Sequence, residues 1–349
     1  MSSSDRGPLL IRIPNWLGDL ILALPVLDAA AADSPARPVI LLGPAPFAAL
    51  LHSRFPSVGY IPWTRARRWA PLGELRRARP ETALLLTESM SSAILVALAG
   101  VPRRIGYAAE GRGALLTRRV PRAGAARSAP RTEEYAALGR AAGLAIRSAE
   151  PRLAVIAEER DAALAALGRA GIRDVPFAIM APGASYGAAK RWDPARFAAV
   201  ALHLRAKHDL RSVLVGTEED RTAAEEVAAS AQDATVNLVG GTDLSALAGV
   251  LASAAIVFSN ESGVMHLAAA LGRPTVGLFG STSPAWTSAS APWVRNLYAA
   301  YPCSPCFRRT CPIGYGCLQA ISVRNAIDAA EVLLAWAPDR DRTRMAVEG

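Results

Sequence analysis

At about 150 residues per domain, a chain of 349 residues points to two domains, each large enough for its own core. With 51% hydrophobic and 20% charged residues it is excluded from the disordered, collagenous and disulfide-stapled classes. Its 39 Lys+Arg against 30 Asp+Glu, a formal net charge of +9, direct attention to an anionic partner: nucleic acid, a phosphorylated substrate or an acidic membrane surface.

The N-terminus carries no cationic segment running into a clean apolar stretch, so no signal peptide is expected. The longest unbroken apolar run, residues 93–101, falls far short of the roughly 20 residues of a spanning helix. A cytoplasmic protein that touches membrane only from outside is the expectation. In chain order, a strand over 9–13 leads through the turn Asn15-Trp16-Leu17-Gly18-Asp19 into a helix over 20–32. Strands over 39–42 and 83–86 and a helix over 92–99 follow, and this alternation argues for βα units on a parallel sheet. Between Arg65 and Arg131 the chain is dense in arginine, with Arg67, Arg68, Arg76, Arg77, Arg103, Arg104, Arg118, Arg119 and Arg122 among them. This stretch reads either as solvated surface or as an anion-facing one.

A charged, alanine-rich helix over 158–170 precedes a second series that begins with a strand over 177–181, so a boundary is expected within 150–175. The series continues with helix 194–207, strand 212–215, helices 222–231 and 244–252, strand 255–259, helix 264–271, strand 275–279 and a last helix over 325–336. Two doubly wound α/β units of this kind place the expected ligand site in the cleft between domains.

Four strand ends in the second half run into glycine- or hydroxyl-bearing turns, and in an open parallel sheet such turns gather at the edge where ligands bind. In Asn260-Glu261-Ser262-Gly263-Val264-Met265-His266, the start of a helix at a glycine suits a diphosphate; Ser262 as a plain N-cap is the alternative. His266, in the first turn or so of that helix, is either a packed side chain or a ligand contact. Lys190, in the glycine-rich loop 182–192, is one of only two lysines in the chain. A mobile ammonium can follow the charge on a departing phosphate, where arginine does not substitute for it. Asp19 at its helix start is either a dipole partner or a base for a substrate hydroxyl. The cysteines Cys303, Cys306, Cys311 and Cys317 follow the spacing C-x2-C-x4-C-x5-C. They read as a structural zinc site, as reduced thiols or as a redox-labile pair. The lone D-x-D, Asp339-Arg340-Asp341, lies in a polar tail and not after a strand, which makes it a poor metal-nucleotide site.

The segments 12–19, 182–192 and 260–284, in that order along the chain, resemble the ADP-heptose:lipopolysaccharide heptosyltransferases, glycosyltransferase family 9. The Asn-Trp-Leu-Gly-Asp and Ala-Lys-Arg-Trp forms look most like the branch that adds the second heptose of the inner core. The resemblance implies an α/β GT-B architecture of two Rossmann-like, doubly wound domains. Residues 1–165 would bind acceptor and 174–325 the ADP-sugar, and 326–349 would form a helix returning to the first domain, plus a polar tail. It further implies inverting transfer from ADP-heptose with no obligatory metal or cofactor. Asp19 would be the general base, Lys190 would contact the diphosphate with Ser185 beside it, and Glu261, Ser262, Gly263 and His266 would line the donor site. The implied partners are an ADP-activated sugar and an anionic, lipid-anchored lipopolysaccharide core, met peripherally at the inner face of the inner membrane. Two positions depart from the usual pattern: Glu261 stands where the family has aspartate, and Asp193 where proline is more usual. A second reading is another family 9 transferase with a different heptose, hexose or acceptor. A zinc-stabilised scaffold without activity is a third. A basic nucleic-acid-binding protein is disfavoured, because no aromatic residues interleave with a basic stripe and no recognised module occurs.

Overall fold

Two six-stranded parallel sheets organise the chain, one in each of two units that divide between Pro151 and Arg152. The computed structural model describes residues 7–124, 127–173, 175–288 and 291–336. In the first unit the strands are β1 (Leu9–Arg12), β2 (Val39–Pro44), β3 (Gly59–Trp63), β4 (Thr82–Leu85), β5 (Arg103–Tyr107) and β6 (Arg118–Val120), ordered β3-β2-β1-β4-β5-β6. The helices are α1 (Leu17–Leu22), α2 (Leu24–Asp33), α3 (Ala48–His52), α4 (Leu72–Ala78), α5 (Met90–Leu98) and α6 (Arg131–Ala141). The central strands β1 and β4 are buried at every position, as strands covered on both faces must be. They pair in register, Leu9 beside Thr82 and Arg12 beside Leu85.

The single helix expected over 20–32 is two. Pro25 has no N–H to give Ile21 O, and the Ala23 N–H is shared between Asp19 O (3.0 Å) and Leu20 O (3.1 Å), so the last turn of α1 tightens and the chain breaks before α2.

The second unit opens with α7 (Ala157–Arg169) and continues through β7 (Phe177–Ala181), α8 (Pro194–His208), β8 (Arg211–Leu214), α9 (Arg221–Ala231), β9 (Thr235–Asn237) and α10 (Leu244–Ala252). After these come β10 (Ile256–Asn260), α11 (Gly263–Ala270), β11 (Thr275–Phe279), α12 (Pro284–Thr287), β12 (Val294–Tyr298), α13 (Gly316–Gln319) and α14 (Val323–Trp336). The strand order β12-β11-β10-β7-β8-β9 repeats that of the first sheet: each unit's first and fourth strands are neighbours, and the crossovers diverge from that point.

Two expected boundaries move. Helix α7, placed by the 1–165 limit in the first domain, packs on α10 of the second unit. Gly249 makes this approach feasible: a Cβ there would lie 2.2 Å from the Glu159 carbonyl oxygen. Helix α14 falls in the second unit as well. Its stripe Ala326, Ala330 and Leu333 is fully buried in the core that also holds Trp192, Phe197 and Leu318. The polar tail, with Asp339 and Asp341, lies outside the described residues. Among the described residues no helix is long and apolar enough to cross a membrane.

Candidate active site

In the first unit, β1 ends on Arg12, a fully buried arginine. Its Nη1 donates to Ile13 O (2.6 Å) and Leu42 O (3.3 Å), and its Nη2 to Asn15 Oδ1 (2.6 Å). The guanidinium stacks 4.1 Å from the Trp63 ring centroid, and burial pulls it down to about 10, which leaves it charged at neutral pH. Arg12 thereby fixes the turn that delivers Asp19 as the third residue of α1. Tyr135 Oη on α6 donates to Asp19 Oδ1 at 3.1 Å, and Arg131 Nε lies 3.4 Å from the same oxygen. Burial, reinforced by the Asp19 charge, pushes the Tyr135 phenol well above its ordinary value, so it remains a donor.

Behind Asp19 two arginines bridge two carboxylates. Arg131 Nη1 reaches Glu88 Oε1 (3.1 Å) and Glu134 Oε2 (2.9 Å), while Arg122 reaches Glu88 Oε2 (2.6 Å) and Glu134 Oε1 (2.7 Å). Burial alone would raise the Glu88 carboxyl, but the bonds from Arg122 and Arg131 hold it below its usual range. The network fixes the Arg131 guanidinium and, through it, the orientation of the Asp19 carboxylate.

In the second unit one buried amide sets the site. Asn260, the last residue of β10, donates Nδ2 to Pro182 O (2.6 Å) and accepts the Trp192 N–H on Oδ1 (2.9 Å). Both ends of the glycine-rich loop are thus tied to the same strand end. Within the loop Gly187 has φ +143°, and a Cβ there would meet the Arg309 carbonyl oxygen at 2.5 Å. Lys190 Nζ sits 4.5 Å from the Tyr186 ring centroid and 2.7 Å from Glu261 Oε2. Thr282 Oγ1 donates to the same oxygen and Thr287 Oγ1 to Oε1 at 2.8 Å.

Ser262 stands before α11, but its hydroxyl bonds Ser259 Oγ (3.0 Å) and makes no cap to the helix backbone. His266 is buried. Burial, with the Lys190 charge, pulls its imidazole down to about 3, so it is neutral, and Nδ1 has no hydrogen-bond partner among the described residues. Lys190, Glu261, Ser262, Gly263 and His266 therefore share one corner of the second sheet, where a cation, a helix N-terminus and a neutral imidazole make an anion-receptive surface. Ser185 lies exposed on the loop and is not tied into that hydrogen-bond set.

The four cysteines are free thiols, with Cys303 exposed and Cys317 buried, and among the described residues no three of their sulfurs lie within 4.8 Å of one another. What their segment does is brace the loops. Phe307 O accepts the Tyr186 hydroxyl (2.5 Å), Arg309 O accepts the Ala189 N–H (3.0 Å), and Ser304 Oγ donates to Gly280 O (2.6 Å).

Sequence reasoning gave no role to Arg12, Tyr186, Thr282, Thr287, Tyr135 or Arg131. The first three stand inside segments already noted. Arg131 and Tyr135, four apart on α6, share a helix face that local pattern alone does not connect to Asp19.

The family model Glycosyltransferase family 9 (heptosyltransferase) matches residues 68–315. The chain belongs to glycosyltransferase family 9. Within that family, it is 31% identical over 300 residues to lipopolysaccharide heptosyltransferase 2 of Escherichia coli K12, covering 80% of this chain and 84% of that one. The solved structure of E. coli ADP-heptose lps heptosyltransferase II superposes with a TM-score of 0.77 at 28% identity, over 94% of this chain and 98% of that one. E. coli heptosyltransferase WaaC, solved with ADP-2-deoxy-2-fluoro heptose, shares the fold with a TM-score of 0.66 at 18% identity, over 93% of this chain and 99% of that one. Two Rossmann-like units are the components of the GT-B architecture of these family 9 enzymes, and the second-unit candidates all fall inside the matched span. Asp19 lies N-terminal to it.

Proposed function

We propose that this glycosyltransferase moves a heptose from ADP-heptose to the heptose of the lipopolysaccharide inner core, with inversion and without a metal ion. The observation that carries the reading is the pairing of Lys190 with Glu261 at the head of α11, at 2.7 Å. It supplies a fixed cation beside the N-terminus of α11, the chemistry a departing diphosphate needs. The oxygen of the acceptor hydroxyl attacks the anomeric carbon from the face opposite ADP, and its proton passes to the Asp19 carboxylate. The bond from that carbon to the diphosphate oxygen breaks, its electron pair stays on ADP, and Lys190 with the first turn of α11 meets the charge. One displacement of this kind inverts the anomeric configuration. Neutral His266 offers its Nδ1 to the donor, Ser185 lies beside the diphosphate, and Glu261, Ser262 and Gly263 line the donor pocket.

The acceptor is read as anionic and lipid-anchored, and the enzyme as cytoplasmic and peripheral at the inner membrane face. Arg67, Arg68, Arg76 and Arg77 are exposed in the first unit and Trp69 among them is 43% exposed, which supports a salt-sensitive contact with anionic headgroups.

Calorimetric titration with ADP and with UDP, EDTA present throughout, tests the donor assignment. ADP is expected to bind and UDP to bind more weakly. Preference for UDP, or binding of neither, overturns it. A panel of ADP-hexoses with one acceptor then separates heptose from hexose transfer, and NMR of the product reads its anomeric configuration.

A further inference from the structure

The C-terminal end of α8 and the middle of α14 carry a cluster that the transfer chemistry does not use. His203 and His208 on α8 both place Nε2 against Glu331 Oε1 on α14, at 2.9 and 3.0 Å. The three atoms lie within 4.8 Å of one another, and the side chains are 28%, 26% and 28% exposed, so an ion can reach them. Lys207 Nζ occupies the other carboxylate oxygen, Oε2, at 2.8 Å.

Two imidazole nitrogens and a carboxylate oxygen are the donor set of zinc-class ions. At metal–ligand bonds of about 2.0–2.1 Å, ligands around a tetrahedral ion stand about 3.3 Å apart, a few tenths beyond the two N···O distances of 2.9 and 3.0 Å. The end of a 15-residue helix also presents the negative pole of its dipole to a cation.

We propose that His203, His208 and Glu331 form a binding site for a zinc-class divalent cation that fastens α14 to α8. On binding, each imidazole exchanges its Nε2–H bond to Glu331 for a bond from the Nε2 lone pair to the ion, with its remaining proton on Nδ1. Glu331 gives Oε1 while Lys207 stays on Oε2, and water completes the shell. The ion lies at the opposite end of α8 from the Lys190 loop, about 20 Å along the helix, so it contributes to stability and not to transfer.

The test uses untagged, full-length protein stripped with EDTA and titrated calorimetrically with Zn2+, then with Co2+ read by visible absorption. One Zn2+ per chain is expected, with a rise in melting temperature and a Co2+ spectrum without thiolate charge-transfer bands. His203→Gln and His208→Gln keep a hydrogen-bonding side chain facing Glu331, which preserves the packing of α14. Each should weaken Zn2+ by at least the roughly tenfold that changes outside the ligand shell already cost. No Zn2+ binding overturns the proposal. Binding unchanged in the His203→Gln/His208→Gln protein, or a strong thiolate band with Co2+, also overturns it and moves the ion to the cysteine segment.

Discussion

The two units share a strand order and differ in what they place where their crossovers diverge. In the first, the turn after β1 presents a carboxylate, Asp19, oriented by a tyrosine and an arginine that is itself fixed between Glu88 and Glu134. In the second, the loop after β7 presents an ammonium, Lys190, held by a glutamate that two threonines fix in turn. The same topology thus presents a carboxylate in one copy and an ammonium in the other. Chain connectivity fixes where chemistry occurs, and a few distant side chains fix its sign.

The comparison breaks most visibly at Asp19. Asp19→Asn keeps the shape and the Tyr135 contact but removes the carboxylate proposed as base, so kcat should fall by about 10²–10⁴-fold while calorimetric ADP affinity is unchanged. Equal losses in both would move Asp19 to the binding surface. At the other switch point, Lys190→Ala should weaken ADP and lower kcat by about 10²–10³-fold. It also strands buried Glu261, at a cost of about 3–5 kcal/mol in denaturant unfolding. The double variant Lys190→Ala/Glu261→Gln should regain much of that stability and none of the turnover, which separates the fold's need for the pair from the reaction's.

The smallest effect lies in pH. The His266 imidazole falls from an ordinary 6.5 to about 3 in the folded chain. Between those values the unfolded chain binds a proton that the folded one refuses, so stability declines as pH drops through the window and is intact above it. Melting curves from pH 7.5 to 4 should show a shallower acid limb for His266→Gln. An unchanged limb would mean that the imidazole is not held neutral.

Much of this was legible in the sequence. The limits of β7, β11 and α10 match the runs read from periodicity, because each is an apolar segment bounded by turn residues. Strands β5 and β6 were hidden because arginines occupy them, and β3 because Pro62 interrupts an edge strand. Glu261 follows the end of β10, and Asp19 and Lys190 lie in the segments that leave β1 and β7, where glycine marks the turn. Their partners Thr287 and Tyr135 lie 26 and 116 positions away and carry no local signal. The allegiance of α7 and α14 was likewise invisible, since an amphipathic helix shows that it has an inner face and not which core receives it.

The bracing of the glycine-rich loop has a kinetic corollary. Phe307 N–H donates to Ser281 O, Ser281 N–H to Ala189 O, and Ala189 N–H to Arg309 O, so three loops far apart in sequence are laced by consecutive backbone hydrogen bonds. None of the three can swing outward without releasing its neighbour. Their amide protons should therefore exchange with solvent at one common rate, and that rate sets the upper limit on how fast any ligand that requires the loop to open can enter.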